Sequence, residues 1–379
     1  MTGRRTVVRR APGKLFVVGE YAVVEPGNPA VLVAVDRYVT VTVTGPVEPG
    51  VAAGVEPGVE ISSDLGPRGE RRRWRDGRLV PYDAHDGPDA RAGLAHVLSA
   101  IETVARLLAE RGLPAPEFSL SVVSGLHDGG TKYGLGSSAA VTVATVAAVA
   151  AFCGLTPTDE ERFRLALLAT AEIDPKGSGG DLAAGVWGGW IAYRAPDRAA
   201  VLALARAHGV EAALRAPWPG FAVRRLPPPA GLALEVGWTG DPASTTALLS
   251  DLHRRPCRGT AAHRRFVSTT TDCASAAIAA LEGGDGRRLL DQIRRARREL
   301  ALLDEEVALG VFTPRLTALC EAAEAVGGAA KPSGAGGGDC GIALLDAGAP
   351  QDIARLRERW ESAGVVPLPI RPVAEGNEK

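Results

Sequence analysis

The 379-residue chain is short of cysteine, methionine, aromatic side chains and, above all, lysine. Its five cysteines (Cys153, Cys257, Cys273, Cys320 and Cys340) are odd in number, scattered and free of any C-x-x-C pair. That spacing argues against a disulfide frame or a thiolate zinc site and fits reduced thiols. No apolar run is long enough to cross a bilayer. The longest, residues 139–153, is Ala-rich, is interrupted by Thr142 and Thr145, and predicts a buried helix. No apolar signal core follows the basic and small residues at the start of the chain, so a cytoplasmic protein without membrane contact is expected. Neither sign of charge is in excess: 43 Lys plus Arg face 44 Asp plus Glu, for a formal charge of -1. Such a balance offers nucleic acid or anionic lipid no general attraction, and any anion must be bound locally. No Ser/His/Asp arrangement stands out among six scattered histidines, of which His127 alone falls near a glycine-rich segment.

Only five of the 43 basic residues are lysine: Lys14, Lys132, Lys176, Lys331 and Lys379. The other cations are all arginine, and the four internal lysines each sit in or beside a Gly-rich stretch. An ammonium group is a compact charge on a flexible stem, whereas guanidinium is a wide planar fork. A phosphate already held by backbone amides leaves room for the former, so the four lysines mark candidate anion sites.

Strands alternate with helices in two blocks split near residue 220, which argues for a two-domain α/β or α+β protein. In the first, Val7–Val8, Leu15–Val18 and Val31–Val43 read as strands, with Pro12-Gly13 as a turn and 45–58 as a loop. A ribbon around Arg71–Val80 and a helix over Asp89–Arg111 follow; then come a strand at Phe118–Val123 and helices at Ser137–Cys153 and Pro157–Ile173. A strand at Val186–Tyr193 closes the block. The second block predicts strands at Phe221–Arg225, Leu232–Trp238, Cys340–Leu345 and Val365–Ile370. It also predicts three or four helices between Ala243 and Val326, and a further one at Gln351–Ser362. The charge runs Arg71–Arg73 and Arg294–Arg298 read as solvated faces.

Four segments carry chemistry. The first, Ala11–Tyr21, places Lys14 after Pro12-Gly13. In the second, Lys132–Ala140, two glycines allow close backbone approach and two serines cap a helix whose free amides attract an anion. A serine hydroxyl there could also reach a magnesium ion bound to the phosphates. These residues also match the relaxed dinucleotide fingerprint G-x-G-x-x-A. The acids twenty residues on, Asp159 and Glu160, open a helix and do not end a strand, which rejects that reading. The Walker pattern is absent as well. The third segment, Asp174–Ala184, sets Asp181 in a glycine cluster, fit to accept a proton or orient an acceptor oxygen, or simply to cap the next element. The fourth, Lys331–Cys340, has four glycines in five residues between a helix and a strand and suits a nest of amides beside a ligand.

Taken together, the segments PGKLFVVGEYAVVEPGNPA, KYGLGSSAAVT, KGSGGDLAA and KPSGAGGGDC resemble the motifs of the galactokinase, homoserine kinase, mevalonate kinase and phosphomevalonate kinase (GHMP kinase) superfamily. With DRYV and GWTGDPAST, they look most like its bacterial phosphomevalonate kinase branch. The resemblance implies a two-domain α+β fold with a ribosomal-S5-like N-terminal domain over 1–220, a ferredoxin-like C-terminal domain over 221–379, and an active site between them. It implies ATP and Mg²⁺ as cofactors, and phosphorylation of (R)-5-phosphomevalonate to 5-diphosphomevalonate in the mevalonate route to isoprenoids. The alternatives are an alcohol acceptor such as mevalonate or homoserine, or a non-catalytic binder that keeps the fold.

Carried over residue by residue, Gly134, Leu135, Gly136, Ser137, Ser138, Ala139 and Ala140 would cradle the nucleotide phosphates, with Ser138 at the metal. Asp181, Lys14 and Lys132 would be catalytic. Lys14, Tyr21, Ser178, Gly179, Asp181, Ser333, Gly334, Ala335 and Gly336 would contact a small-molecule substrate. The expected assembly is a monomer or homodimer. Two departures stand out: Tyr21 replaces the histidine usual in mevalonate kinases, and Glu172 is offset from the place of their metal-binding glutamate.

Overall fold

Two long strands rich in β-branched residues, β1 (Arg4–Val18) and β2 (Pro29–Pro46), pair antiparallel along their whole length. The computed structural model describes residues 4–46, 58–64, 69–82, 88–128, 130–242 and 260–373. The other edge of β2 is shared. Its first half pairs with β9 (Trp190–Arg194) and its second half with β6 (Phe118–Ser124). Beyond β6 lie β3 (Gly58–Ser63), β4 (Glu70–Arg75) and β5 (Arg78–Pro81), and β10 (Ala222–Leu226) pairs outside β9. A two-stranded ribbon, β7 (His127–Asp128) and β8 (Thr131–Lys132), stands apart.

Helices α1 (Pro88–Glu110), α2 (Ser137–Phe152), α3 (Asp159–Ala171) and α4 (Gly180–Trp187) gather over this sheet. The Ala-rich run is α2, as its composition predicts. It packs on β1, β2 and α1 and buries Val143, Val146 and Val149. Each such side chain contributes about 1.5–3 kcal/mol when fully buried. Thr158 and Glu161 form a reciprocal capping box that starts α3, as the Pro157-Thr158 signal predicts.

The second unit has β11 (Leu232–Trp238), β12 (Ala329–Pro332), β13 (Cys340–Asp346) and β14 (Val366–Leu368), all antiparallel in the order β12-β13-β11-β14. Helices α7 (Ala261–Glu282), α8 (Gly286–Val307) and α9 (Pro314–Glu324) intervene between β11 and β12, and α10 (Pro350–Ser362) between β13 and β14. This is the ferredoxin-like strand order. One hydrophobic cluster runs through both units, joining Val33 and Leu182 to Val236, Cys273 and Ile342.

Several local expectations change. Pro12-Gly13 is not a turn but a register shift inside continuous β1. A Cβ on Gly13 would stand 2.8 Å from Leu126 Cδ2 and 3.0 Å from the Leu135 carbonyl, so glycine lets β1 press against the second segment. Val186 and Trp187 end α4, and Gly188 and Gly189, both at positive φ, separate them from β9. Helices α5 (Arg198–His208) and α6 (Val210–Arg215) lie where no element is expected. Arg72 is not solvated but buried, paired with Glu70 at 2.6 Å.

The switch of sheet membership falls between β10 and β11, so Phe221–Arg225, expected to open the second block, contributes its strand to the first sheet. The chain later returns to that sheet. Pro372 bridges to Val35, and Arg371 is held by both backbone and carboxylate of Asp36.

Candidate active site in the cleft between the units

The motifs meet at one cleft of about 450 Å³. Helix α2 begins at Gly136, left-handed at φ 78, with no side-chain cap. The serines therefore do not cap the helix, as the sequence pattern suggests, but stand at its first two positions. The first intrahelical bond in the ladder is Ala140 N–H to the Gly136 carbonyl at 3.0 Å. The amides of Ser137, Ser138 and Ala139 have no intrahelical acceptor, and all three residues line the cleft. This end of the helix also carries the positive pole of its dipole, so the geometry suits an anion.

Lys14 is brought to the same point by the β1 bulge, its backbone N–H bonded to the Leu135 carbonyl at 2.9 Å. Its side chain is nearly buried, its ammonium 3.5 Å from the Gly134 carbonyl and 5.4 Å from the Phe16 ring centroid. A Cβ on Gly136 would lie 3.1 Å from Lys14 Cε and 3.6 Å from Asp181 Cβ. Lys14 and Asp181 thus flank the residue that opens α2. Asp181 stands in the first turn of α4, which starts at left-handed Gly179, and an acid there suits the helix dipole. The φ of 78 favours glycine at 179, and a Cβ there would also press on Leu167 Cδ1 at 2.6 Å. Tyr193 secures it further, donating from its hydroxyl to the Ser178 carbonyl at 2.7 Å; burial pushes that phenol's pKa up and keeps it a donor. Lys132, on β8, is exposed at the rim.

The fourth segment closes the floor. Fully buried Lys331 forms an ion pair with buried Glu20 and donates to the Pro332 carbonyl at 2.7 Å. Ser333 Oγ donates to the Phe16 carbonyl at 3.0 Å and accepts the Phe16 N–H at 2.9 Å. Tyr21 donates to the Ala335 carbonyl at 2.5 Å, and burial followed by Asp304 and Glu20 raises its pKa. Gly336 packs where a Cβ would stand 2.6 Å from the Val311 carbonyl.

Of the residues singled out in the sequence, Lys14, Tyr21, Lys132, Gly134, Gly136, Ser137, Ser138, Ala139, Ser178, Gly179, Asp181, Gly334 and Ala335 line the cleft. Leu135, Ala140, Ser333 and Gly336 stand behind that lining, where they hold the backbone in place. Glu172 points elsewhere, to Arg106 at 2.8 Å and Arg78 at 3.7 Å.

The cleft also contains residues not picked out as site candidates: Glu20, His96, Asp174 and Asp339. Asp174 opens the third glycine segment and Asp339 stands near the end of the fourth, so both were within reach of the motif reading. His96, whose pKa burial lowers, comes from α1 and has no local signal; its Nδ1 lies 3.5 Å from Thr142 Oγ1. Among the described residues no group of three or more His, Cys, Asp or Glu is placed to hold a metal unaided. Free helix amides, a desolvated ammonium and a facing carboxylate are what phosphoryl transfer asks of a protein.

The chain belongs to the GHMP kinases, a family of phosphotransferases: residues 96–189 match the GHMP kinases N terminal domain and residues 277–362 the GHMP kinases C terminal domain. It is 69% identical over 376 residues to a phosphomevalonate kinase of Streptomyces sp. (strain CL190), covering 99% of each chain. The structure of Streptococcus pneumoniae phosphomevalonate kinase in complex with phosphomevalonate and AMPPNP superposes with a TM-score of 0.81 at 27% identity, over 97% of this chain and 100% of that one. The Lin0012 protein from Listeria innocua superposes with a TM-score of 0.86 at 31% identity, over 98% of both chains. No helix among the described residues is long and apolar enough to cross a membrane.

Proposed function

We propose that this chain transfers the γ-phosphoryl group of ATP to the phosphate of (R)-5-phosphomevalonate, giving 5-diphosphomevalonate and ADP. The observation that carries this reading is the meeting of Lys14 and Asp181 at the uncapped start of α2, in a chain 69% identical end to end to a phosphomevalonate kinase. The free amides of Ser137–Ala139 receive nucleotide phosphates, and Lys14 offsets their charge at the transfer point. The acceptor phosphate, with a second pKa of roughly 6, is mostly dianionic at neutral pH and supplies its own nucleophilic oxygen. Asp181 then orients the acceptor and has little proton to remove.

The cleft fits a magnesium ion, which commonly keeps several waters and takes one or two protein oxygens together with phosphate oxygens. The Ser138 hydroxyl and the Asp181 carboxylate are the donors beside the nucleotide end, and three clustered acids are not required. These two side chains would hold the ion, which would supply positive charge against the phosphate oxygens.

A substrate panel tests the reading. Purified protein with ATP and Mg²⁺ is offered phosphomevalonate, mevalonate and homoserine, with ADP release and the ³¹P spectrum of the product recorded. Turnover with phosphomevalonate and the appearance of a diphosphate doublet are expected. Preferential turnover of either alcohol would overturn the assignment.

A further inference from the structure

Lys331 is a lysine beside a Gly-rich loop that faces no ligand. It is fully buried, and its ammonium is committed to Glu20 and to the Pro332 carbonyl. Glu20 itself is only 4% exposed and lines the cleft. Both Glu20 and Lys14 surround one residue of the floor: the Gly334 N–H lies 3.4 Å from Glu20 Oε1, and a Cβ on Gly334 would stand 3.8 Å from Lys14 Nζ. A carboxylate and an ammonium on either side of one residue, both nearly buried, attract each other. A Lys14 captured by Glu20 would be lost to phosphate.

We propose that Lys331 is a positioning residue whose charge holds Glu20 and so keeps Lys14 available for the phosphate groups. The inference deepens the kinase reading given above and rests on it, but it concerns phosphate binding and not the acceptor's identity. The floor around the pair does not depend on it alone. Ser333 is bonded twice to Phe16 and Tyr21 to Ala335, so the loop keeps its other anchors when the pair is neutralised.

The test is binding of inorganic pyrophosphate to the full chain, followed by calorimetry, for Lys331→Met, Glu20→Gln and the double variant. Removing the buried partner charge frees Glu20 to pair with Lys14, and Lys331→Met is expected to weaken pyrophosphate binding at least about ten-fold. Glu20→Gln removes the competitor, so it binds pyrophosphate at least as tightly as the wild type. The double variant recovers to within about three-fold of wild type, a non-additivity that packing alone does not give. Unchanged binding in Lys331→Met overturns the proposal, and so does a double variant no better than Lys331→Met. Should Lys331→Met fail to fold, Glu20→Gln decides: a ten-fold weakening there means the pair is only a strut, and the proposal falls. Because pyrophosphate reports on Lys14 whatever the acceptor, failure here is separate from failure of the substrate panel.

Discussion

Replacing Lys14 by methionine removes the ammonium while leaving most of the stem, and the structure sets how much this costs. Lys14 is only 8% exposed, so a phosphate oxygen at about 4 Å interacts with it through an effective dielectric near 20, or ~4 kcal/mol. At 1.36 kcal/mol per factor of ten, that is a loss of ~10³-fold in kcat/KM. Lys132 is exposed at the rim, where the same contact through water is worth only ~1 kcal/mol, so Lys132→Met costs about five-fold. Asp181→Asn is the internal comparison. With a dianionic acceptor no proton has to be abstracted, so it costs no more than Lys14→Met. Lys14→Arg is not expected to rescue, because the stem packs close on Gly136, where a Cβ would lie 3.1 Å from Cε, and a planar fork does not place its charge where the compact ammonium does. Steady-state kinetics for the four variants, with kcat and KM resolved, read the order directly. Near-wild-type turnover in Lys14→Met, or an Asp181→Asn loss far larger than that of Lys14→Met, refutes the electrostatic account.

Ser333→Ala leaves the buried N–H and carbonyl of Phe16 without partners and is expected to lower stability by ~2 kcal/mol in urea unfolding, with KM little changed. A raised KM at full stability would make Ser333 a substrate contact. Gly134→Ala puts a methyl 2.3 Å from Asp339 Cβ at a positive φ of 79, so kcat/KM is expected to fall at least about ten-fold, and wild-type kinetics would show the approach to be dispensable. Glu172→Gln loses its pairs with Arg106 and Arg78 and costs ~1 kcal/mol of stability, but leaves the Mg²⁺ concentration for half-maximal rate where it was. A shift in that concentration would restore Glu172 as a metal ligand.

Much of the architecture is legible in local sequence because the relevant signals are local. The Pro157-Thr158-x-x-Glu161 box starts α3, and the valine-rich stretches of β1 and β2 need no tertiary help to read as strands. What escaped was decided across the fold. Arg72 belongs to a charge run, yet strand alternation turns it inward against Glu70. Gly136 takes the cap because its left-handed turn leaves the serine amides free, whereas sequence rules give a serine that position. His96 enters the cleft only because α1 packs on α2. Lysine scarcity found the right neighbourhoods but not a single role: Lys14 and Lys132 line the cleft, Lys176 is exposed outside its lining, and Lys331 is a buried counter-ion.

The charges of the cleft lead to a last expectation about metal. Among the described residues its lining has two lysines against four carboxylates, Glu20, Asp174, Asp181 and Asp339. Lys331 offsets Glu20 from behind, which still leaves more carboxylates than lysines among those lining residues. Helix amides at α2 offset only about half a charge. Two lysines are few for a nucleotide triphosphate and a second phosphorylated molecule, and the carboxylates of the lining are the groups a divalent cation would face. Removing Mg²⁺ with EDTA is accordingly expected to weaken ADP binding itself by more than ten-fold, measured by calorimetry with no acceptor present. Asp181→Asn relieves part of the repulsion, so in EDTA it binds ADP more tightly than the wild type does. If chelation lowered turnover while leaving the ADP affinity of both proteins unchanged, the cleft's negative surplus would not govern binding, and the balance drawn here between lysines, amides and carboxylates would be wrong.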